Sequence, residues 1–122
     1  MTAYFLDTYA MFEIIKGNPD FESYACSDRL ITTRMNLLEL YYGLLKKEGQ
    51  TVADFYYRWF STELVEAGDE EIKQAAYFRW KARGLALSYI DCLGYVTAMR
   101  FDVPFVTGDA AFQGFPNVEF VR

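Results

Sequence analysis

The sequence predicts an α/β fold in which helices cover both faces of a parallel sheet of four to five short strands, giving three layers. Short apolar runs alternate with helical patterns along the whole chain, which is typical of parallel strands joined by helices. The first run, 3–6, has no polar alternation and therefore suits a strand buried on both faces. Because the chain has 122 residues, 52% of them hydrophobic, we expect a single domain, 1–122.

The predicted strands are short apolar or β-branched runs bounded by turn residues. They cover 3–6, 29–33, 103–107 and 117–121, with an edge strand at 63–66 as the fifth. Helices are predicted where apolar residues recur with helical spacing. They cover 9–16, 18–24, 34–47, 51–60, 69–83 and 88–99, with Gly17 ending the first and Asp69 and Ser88 as N-caps of the last two. The expected buried stripe of the helix 34–47 consists of Leu37, Leu38, Tyr41, Leu44 and Leu45.

Composition excludes several kinds of active site. The chain has no histidine, so histidine-containing zinc sites, Ser-His-Asp triads and Cys-His pairs are excluded. Cys26 and Cys92 are far apart in sequence, and we expect both to be reduced and buried. The net charge of −5 counts against a broad basic surface for duplex nucleic acid. It is compatible with a local basic rim around an acidic site that holds a cation.

The sequence shows no feature that directs the chain to a membrane or out of the cell. No basic segment precedes the apolar run 3–6, and Asp7 interrupts it, so we expect no signal peptide. No apolar run approaches the length of a membrane span. We therefore expect a cytoplasmic protein that does not enter membranes.

Four carboxylates without a basic neighbour in sequence are the candidate functional residues. Asp7 directly follows the first predicted strand, and Asp109 follows the strand 103–107 after the sharp turn that Gly108 permits. Each also has a purely structural explanation, Asp7 or Thr8 as a helix N-cap and Asp109 as a turn residue. If the two strands are neighbours, both carboxylates lie at the same carboxyl edge of the sheet.

Glu39 lies in the helix 34–47. Met35, Asn36, Tyr42 and Gly43 are one turn away from it, and none of them is a cation. An exposed glutamate is the usual explanation for such a residue. The neighbours are not typical of an exposed face, however, and Gly43 is expected to leave room beside Glu39.

Asp91 stands three residues after Ser88, which is the spacing of a capping box. Capping alone accounts for both residues, but the roles can coexist, with Ser88 as the cap and Asp91 as a ligand. Carboxylates that converge repel one another unless a cation lies among them. Because these sites offer only oxygen ligands, Mg²⁺ or Mn²⁺ is the expected ion.

Together these motifs resemble the PIN domain, and within that family the VapC-type toxins of toxin–antitoxin modules. The resemblance covers essentially the whole chain, and its motifs agree in order and spacing. They are Asp7-Thr8 after an apolar strand, Asn36 to Glu39 in a helix, Ser88 to Asp91, and Thr107 to Phe112. Two positions depart from the family pattern. Gly108 stands where many relatives carry a basic residue, and Gln113 is neutral near a position that is acidic in some.

The resemblance implies a PIN-like three-layer fold and a metal-dependent endoribonuclease, the toxin of a type II toxin–antitoxin pair. RNA would be the substrate and a protein antitoxin the partner. Asp7, Glu39, Asp91 and Asp109 would be the catalytic residues and the ligands of Mg²⁺ or Mn²⁺. The expected supporting residues are Thr8, Asn36, Ser88 and Thr107. Because no histidine can act as a base, water activated by the metal is the expected nucleophile.

Two runs, 55–60 and 77–81, mix aromatic residues with Arg or Lys. Three explanations are open: core packing with snorkelling cations, stacking on single-stranded bases, and a groove for a partner's helix. Of the two functional explanations the antitoxin requirement favours the groove, and the 19% aromatic content predicts a homodimer through these helices. Lys46 and Lys47 either stabilise the end of their helix or contact phosphates.

Two other functions are compatible with the sequence. One is a PIN-like binding or scaffolding module without turnover, and the other is an unrelated metal-dependent phosphohydrolase, since a fold does not fix a function. Loss of an acidic ligand would favour the binding module. All four carboxylates are present, so the sequence favours the ribonuclease.

Overall fold

A computed structural model describes residues 3–122 of the chain. Its sheet has four strands, all parallel, in the spatial order β2-β1-β3-β4. The strands are β1 (Ala3–Leu6), β2 (Arg29–Ile31), β3 (Phe105–Thr107) and β4 (Val118–Phe120). In the central pair, Phe5 lies opposite Phe105 and Leu6 opposite Val106. The predicted parallel sheet is confirmed, and the carboxyl ends of β1 and β3 are neighbours.

Among the described residues, six α-helices connect and cover the strands. They are α1 (Thr8–Lys16), α2 (Glu22–Ala25), α3 (Arg34–Glu48), α4 (Gln50–Phe60), α5 (Asp69–Lys81) and α6 (Tyr89–Arg100). Two short 3-10 helices, Pro19–Phe21 and Ala110–Phe112, follow α1 and β3. Gly17 ends α1 as predicted, and its φ of 79° is a conformation that glycine adopts readily.

The two central strands are buried on both faces, as the unbroken apolar run of β1 predicted. Phe5 and Phe105 belong to a core shared with α5 and α6. Leu6 and Val106 belong to a second core, shared with α1, α3 and α4. Successive side chains of a strand point to opposite faces of the sheet, so each central strand contributes to both cores. The predicted three-layer arrangement is therefore confirmed.

The predicted edge strand at 63–66 is reduced to a single parallel bridge between Thr32 and Leu64. The amide of Val65 donates to the Thr32 carbonyl over 3.0 Å, so the segment runs beside the end of β2. Because α5 begins at Asp69, the chain turns away before further pairs form. The sheet therefore has four strands within the described part of the chain.

The start of α5 differs from the prediction. Gly68, not Asp69, is the N-cap, and its amide donates to the Glu71 carboxylate over 2.7 Å. Glu71 is only 5% exposed and forms an ion pair of 3.1 Å with Arg100 of α6. The Asp69 cap was predicted from local sequence alone. That prediction is wrong because a cation distant in sequence stabilises Glu71 in the capping position.

The buried face of α3 also differs from the prediction. Leu37 and Leu44 are buried as expected, together with Leu40, whereas Leu38 and Leu45 are 57% and 40% exposed. The exposed side of α3 therefore carries an apolar stripe. Its members, called here the α3 stripe, are Met35, Leu38, Tyr42 and Leu45.

Gly43 of α3 has a packing role that the sequence did not predict. A Cβ atom at this position would lie 2.5 Å from the ring of Phe12 in α1. The missing side chain therefore makes room for Phe12, and the expectation that it leaves space beside Glu39 is wrong. Close contact between α1 and α3 follows, which holds Thr8 and Glu39 on adjoining helices.

Both cysteines are free, but only Cys92 is buried. Cys26 is exposed, so the prediction that both are buried is wrong for this residue. Within the part of the chain that the structure describes, no helix combines the length and the apolarity that crossing a membrane requires.

Candidate active site

The candidate site lies at the carboxyl edge of the two central strands. Asp7 is the first residue after β1, and Asp109 follows β3 after Gly108. Because Leu6 lies opposite Val106, the two carboxylates leave the sheet at neighbouring positions. α3 contributes Glu39 to this edge, and the first turn of α6 contributes Asp91.

Asp7 is the most buried of the four carboxylates, with 2% of its surface exposed. It is the N-cap of α1, and one of its oxygens accepts a hydrogen bond of 2.7 Å from the Ala10 amide. Burial raises its pKa from 3.8 to about 7, and hydrogen bonds from Thr107 and Ala10 oppose this rise in pKa. The negative charges of Asp91 and Asp109 raise the pKa further. An ionised Asp7 is therefore costly in the protein alone.

Glu39 is partly buried and is held by the two polar residues predicted to support it. The Thr8 hydroxyl donates to Glu39 Oε1 over 2.7 Å, and the Asn36 amide group donates to the Thr8 hydroxyl over 3.2 Å. Burial raises the pKa of Glu39, the Thr8 hydrogen bond lowers it, and the charge of Asp91 raises it. Thr8 thus connects Glu39 to the start of α1, directly beside Asp7.

Asp91 forms the capping box that its spacing predicted. The Ser88 amide donates to Asp91 Oδ2 over 2.9 Å, and the Asp91 amide donates to the Ser88 hydroxyl over 3.0 Å. Burial raises the pKa of Asp91, the hydrogen bonds with Ser88 lower it, and the charge of Asp109 raises it. Capping therefore restrains the Asp91 side chain in the first turn of α6.

Asp109 is held by the turn after β3. It is the N-cap of the 3-10 helix Ala110–Phe112 and accepts a hydrogen bond of 3.0 Å from the Ala111 amide. Its own amide donates to the Thr107 hydroxyl over 3.0 Å. Thr107, the last residue of β3, therefore holds the backbone of Asp109 at the end of this strand.

The four carboxylates are linked by the effects of their charges on pKa values and are called here the acidic cluster. Asp91 affects the pKa values of both Asp7 and Glu39, and Asp109 affects those of Asp7 and Asp91. None of the three ion pairs among residues 3–122 includes a member of the cluster. As the side chains stand, however, no three acidic or cysteine residues in this range are grouped closely enough to hold one metal ion.

Two residues near the start of α6 form a pair that the sequence did not single out. Arg79 of α5 lies over the ring of Tyr89, the first residue of α6, with 4.1 Å between the guanidinium carbon and the ring centroid. Tyr89 is 72% exposed. Arg79 belongs to the aromatic run 77–81, but only the packing of α5 against α6 brings Tyr89 to it.

Comparison with known protein families shows to which family the chain is related. The PIN domain family matches residues 4–118, which is nearly the whole chain. The chain belongs to the PIN domain family. No curated protein sequence matched it. Membership agrees with the four motifs that predicted it, and it includes all four carboxylates of the acidic cluster within the matched range.

Solved structures of VapC-type proteins resemble this PIN domain along almost its full length. Mycobacterium tuberculosis VapC20, a Sarcin-Ricin loop cleaving toxin, has a TM-score of 0.76 at 16% identity, with 95% of this chain and 98% of that chain covered. VapBC2 from Rickettsia felis, bound to a DNA fragment from their promoter, gives 0.74 at 20% identity, with 99% and 100% covered. The toxin–antitoxin protein VapBC-5 from M. tuberculosis gives 0.66 at 23%, with 100% and 99% covered. At these identities the similarity establishes the fold.

Proposed function

We propose that this PIN domain protein is a Mg²⁺- or Mn²⁺-dependent endoribonuclease and the toxin of a type II toxin–antitoxin pair. The observation that carries the proposal is the acidic cluster at the carboxyl edge of β1 and β3. The charges of Asp91 and Asp109 raise the pKa of Asp7, and no member of the cluster forms an ion pair among the described residues. A group of carboxylates that must ionise together is stabilised by a divalent cation.

The donor set fits such a cation. Asp7, Glu39, Asp91 and Asp109 offer only carboxylate oxygens, which are the ligands that Mg²⁺ and Mn²⁺ prefer. A bound ion would acidify a water molecule and stabilise negative charge on the phosphate and the leaving oxygen. Because the side chains of residues 3–122 do not form a three-ligand group as they stand, metal binding would require these carboxylates to move closer together.

The chain's own residues would orient the ligands. Thr8 holds Glu39 through a hydrogen bond of 2.7 Å, and Asn36 holds Thr8. The Ser88 amide donates to one oxygen of Asp91, while the Thr107 hydroxyl accepts a hydrogen bond from the Asp109 backbone amide. Each supporting group restrains its carboxylate before a ligand binds, which reduces the ordering that catalysis requires.

RNA as the substrate and an antitoxin as the partner are supported by the similar structures. One of these is a toxin that cleaves the Sarcin-Ricin loop, and others are VapBC toxin–antitoxin proteins. The α3 stripe offers an exposed apolar surface of the kind that receives an amphipathic helix. We assign this stripe to the antitoxin. An RNA substrate and an antitoxin partner both require the cytoplasm, where we place the protein.

The decisive test of activity compares two aspartate variants. Wild-type protein with Mn²⁺ is expected to cleave a fluorogenic single-stranded RNA, and Asp91→Asn is expected to abolish cleavage because it removes a charged ligand. Asp69→Asn is the matched control, since Asp69 is an exposed aspartate in the first turn of another helix, and cleavage should persist. Equal cleavage by all three proteins would contradict the proposal.

A binding or scaffolding module without turnover is the second candidate. The observation that favours it is the spacing of the carboxylates, no three of which in residues 3–122 are close enough to share one ion. This candidate predicts RNA or antitoxin binding without cleavage at any Mn²⁺ concentration. The same assay with wild-type protein therefore separates the two functions.

A further inference from the structure

Positive charge is concentrated at the end of α5 and in the segment that leads to α6. Residues 72–90 contain no aspartate or glutamate, although the whole chain has a net charge of −5. Arg79, Lys81 and Arg83 lie within this segment, and none of them takes part in the three ion pairs of residues 3–122. The segment is therefore a local basic surface on an acidic protein.

Exposed aromatic rings accompany these cations. Tyr77, Trp80 and Tyr89 are 60%, 58% and 72% exposed. Each of the three cations lies over at least one of these rings. The distances to the ring centroids are 4.1 Å for Arg79 over Tyr89, 5.4 Å for Arg83 over Trp80, and 5.8 and 5.9 Å for Lys81 over Tyr77 and Trp80. We call these six residues the basic-aromatic surface.

The basic-aromatic surface reaches the start of α6, the helix that carries Asp91. The Arg79 side chain donates a hydrogen bond of 3.1 Å to the Leu87 carbonyl, immediately before the capping residue Ser88. Tyr89 stands in the same helical turn as Asp91. Arg79 and Tyr89 therefore lie at the end of α6 whose first turn carries Asp91.

We propose that the basic-aromatic surface binds single-stranded RNA on its way into the acidic cluster. This inference rests on the proposed ribonuclease function and adds the surface that holds the substrate. Single-stranded nucleic acid presents phosphates and unstacked bases in alternation, so its binding surfaces combine cations with exposed aromatic rings. A segment with basic residues and no carboxylate is complementary to a polyanion. The α3 stripe, by contrast, has no charged member and suits an apolar partner.

The test is direct binding of a fluorescein-labelled single-stranded oligouridylate, measured by fluorescence anisotropy in EDTA so that cleavage does not occur. Trp80→Ala and Tyr89→Ala are each expected to weaken binding about 5- to 100-fold, since each removes a stacking ring. Trp59→Ala is the matched control, because Trp59 is an exposed tryptophan of α4 outside this surface, and binding should not change. Arg83→Gln should reduce the salt dependence of binding, whereas Arg58→Gln of α4 should not.

Two further measurements separate failure of this inference from failure of the proposed function. Asp91→Asn should retain RNA binding while it loses cleavage, so cleavage by that variant would contradict the proposed function alone. Unchanged RNA binding by both Trp80→Ala and Tyr89→Ala, with unchanged melting temperatures, would overturn the inference. Loss of antitoxin binding or of self-association in these variants, with RNA binding intact, would also overturn it and assign the surface to a protein partner.

Discussion

Asp7 is a buried carboxylate, and its burial opposes its ionisation. Its pKa is raised from 3.8 to about 7 in the folded protein, so the folded state binds its proton more tightly than the unfolded state does. The stability that this difference contributes is fully present below pH 3.8 and is lost as the pH rises towards 7. We therefore expect the free energy of unfolding in EDTA to decrease across this pH range.

Asp7→Asn tests this pH dependence. Asparagine is an equally good N-cap and carries no charge, so the variant should keep the fold and lose most of the decrease with pH. The measurement is urea unfolding of both proteins at several pH values between 3.8 and 7. Parallel pH dependence in the two proteins would show that Asp7 is not responsible.

Gly108 is required for packing rather than for backbone conformation. A Cβ atom there would overlap the ring of Tyr9 and the carbonyl of Val121, and Gly108 is not among the described glycines with positive φ. Gly108→Ala should therefore destabilise the protein by about 1–3 kcal/mol. Gly84→Ala is the control, since a Cβ atom at Gly84 meets nothing within 4 Å and its φ is not positive either. Equal melting temperatures for the two variants would contradict this account.

The sequence predicted where these residues lie better than it predicted which residues they pack against. Asp7 and Asp109 could be placed because each ends an apolar strand, which is a local pattern. The tight packing at Gly108 could not be predicted, because Tyr9 and Val121 come from the opposite ends of the chain.

Glu71 stabilises α5 from inside the protein. It caps the Gly68 amide and pairs with Arg100, and it is nearly fully buried. Glu71→Ala should lower the free energy of unfolding by about 1–3 kcal/mol, because the amide of the cap and the Arg100 guanidinium both lose a partner. Asp69→Ala, which removes the cap that the sequence predicted, should have little effect. Chemical unfolding of the two variants distinguishes these roles. A larger decrease in the free energy of unfolding for Asp69→Ala would instead support Asp69 as the N-cap.

At the level of elements, the central strands and the helices were predictable because their signals are local. Apolar runs and helical spacing placed β1, β3 and most helices within a few residues. The edge segment 63–66 was not predictable, since its single bridge to Thr32 depends on where α5 begins. The buried face of α3 was also missed, because Leu38 and Leu45 have the same apolarity as Leu37 and Leu44 and only their tertiary neighbours differ.

The surface of the molecule carries large exposed aromatic side chains. Self-association through the aromatic helices stays a prediction. Phe55 and Trp59 of α4 are 57% and 42% exposed. We expect sedimentation at micromolar concentration to give a dimer, and Phe55→Glu to shift it towards the monomer by placing a charge in the contact. Phe101→Glu is the control, since Phe101 is 41% exposed outside α4. A wild-type monomer would contradict this prediction.

Convergence of the four carboxylates is the central claim at the level of the whole molecule. Its sequence signal was indirect: the strand-end positions of Asp7 and Asp109 imply a common site only if β1 and β3 are neighbours, as they are. Glu39 and Asp91 come from helices whose orientation no local pattern specifies. For these two, the likeness to the PIN domain supplied what periodicity and spacing did not.

Melting curves of wild-type protein and Asp91→Asn, with and without Mn²⁺, test this claim most directly. Mn²⁺ should raise the melting temperature of the wild type by binding the folded state. Asp91→Asn should respond much less, and in EDTA it should be at least as stable as wild type, because one repelling charge of the acidic cluster is gone. If Asp91 serves only as a capping residue, the variant will instead be slightly less stable and will respond to Mn²⁺ as wild type does, which would contradict a shared metal site.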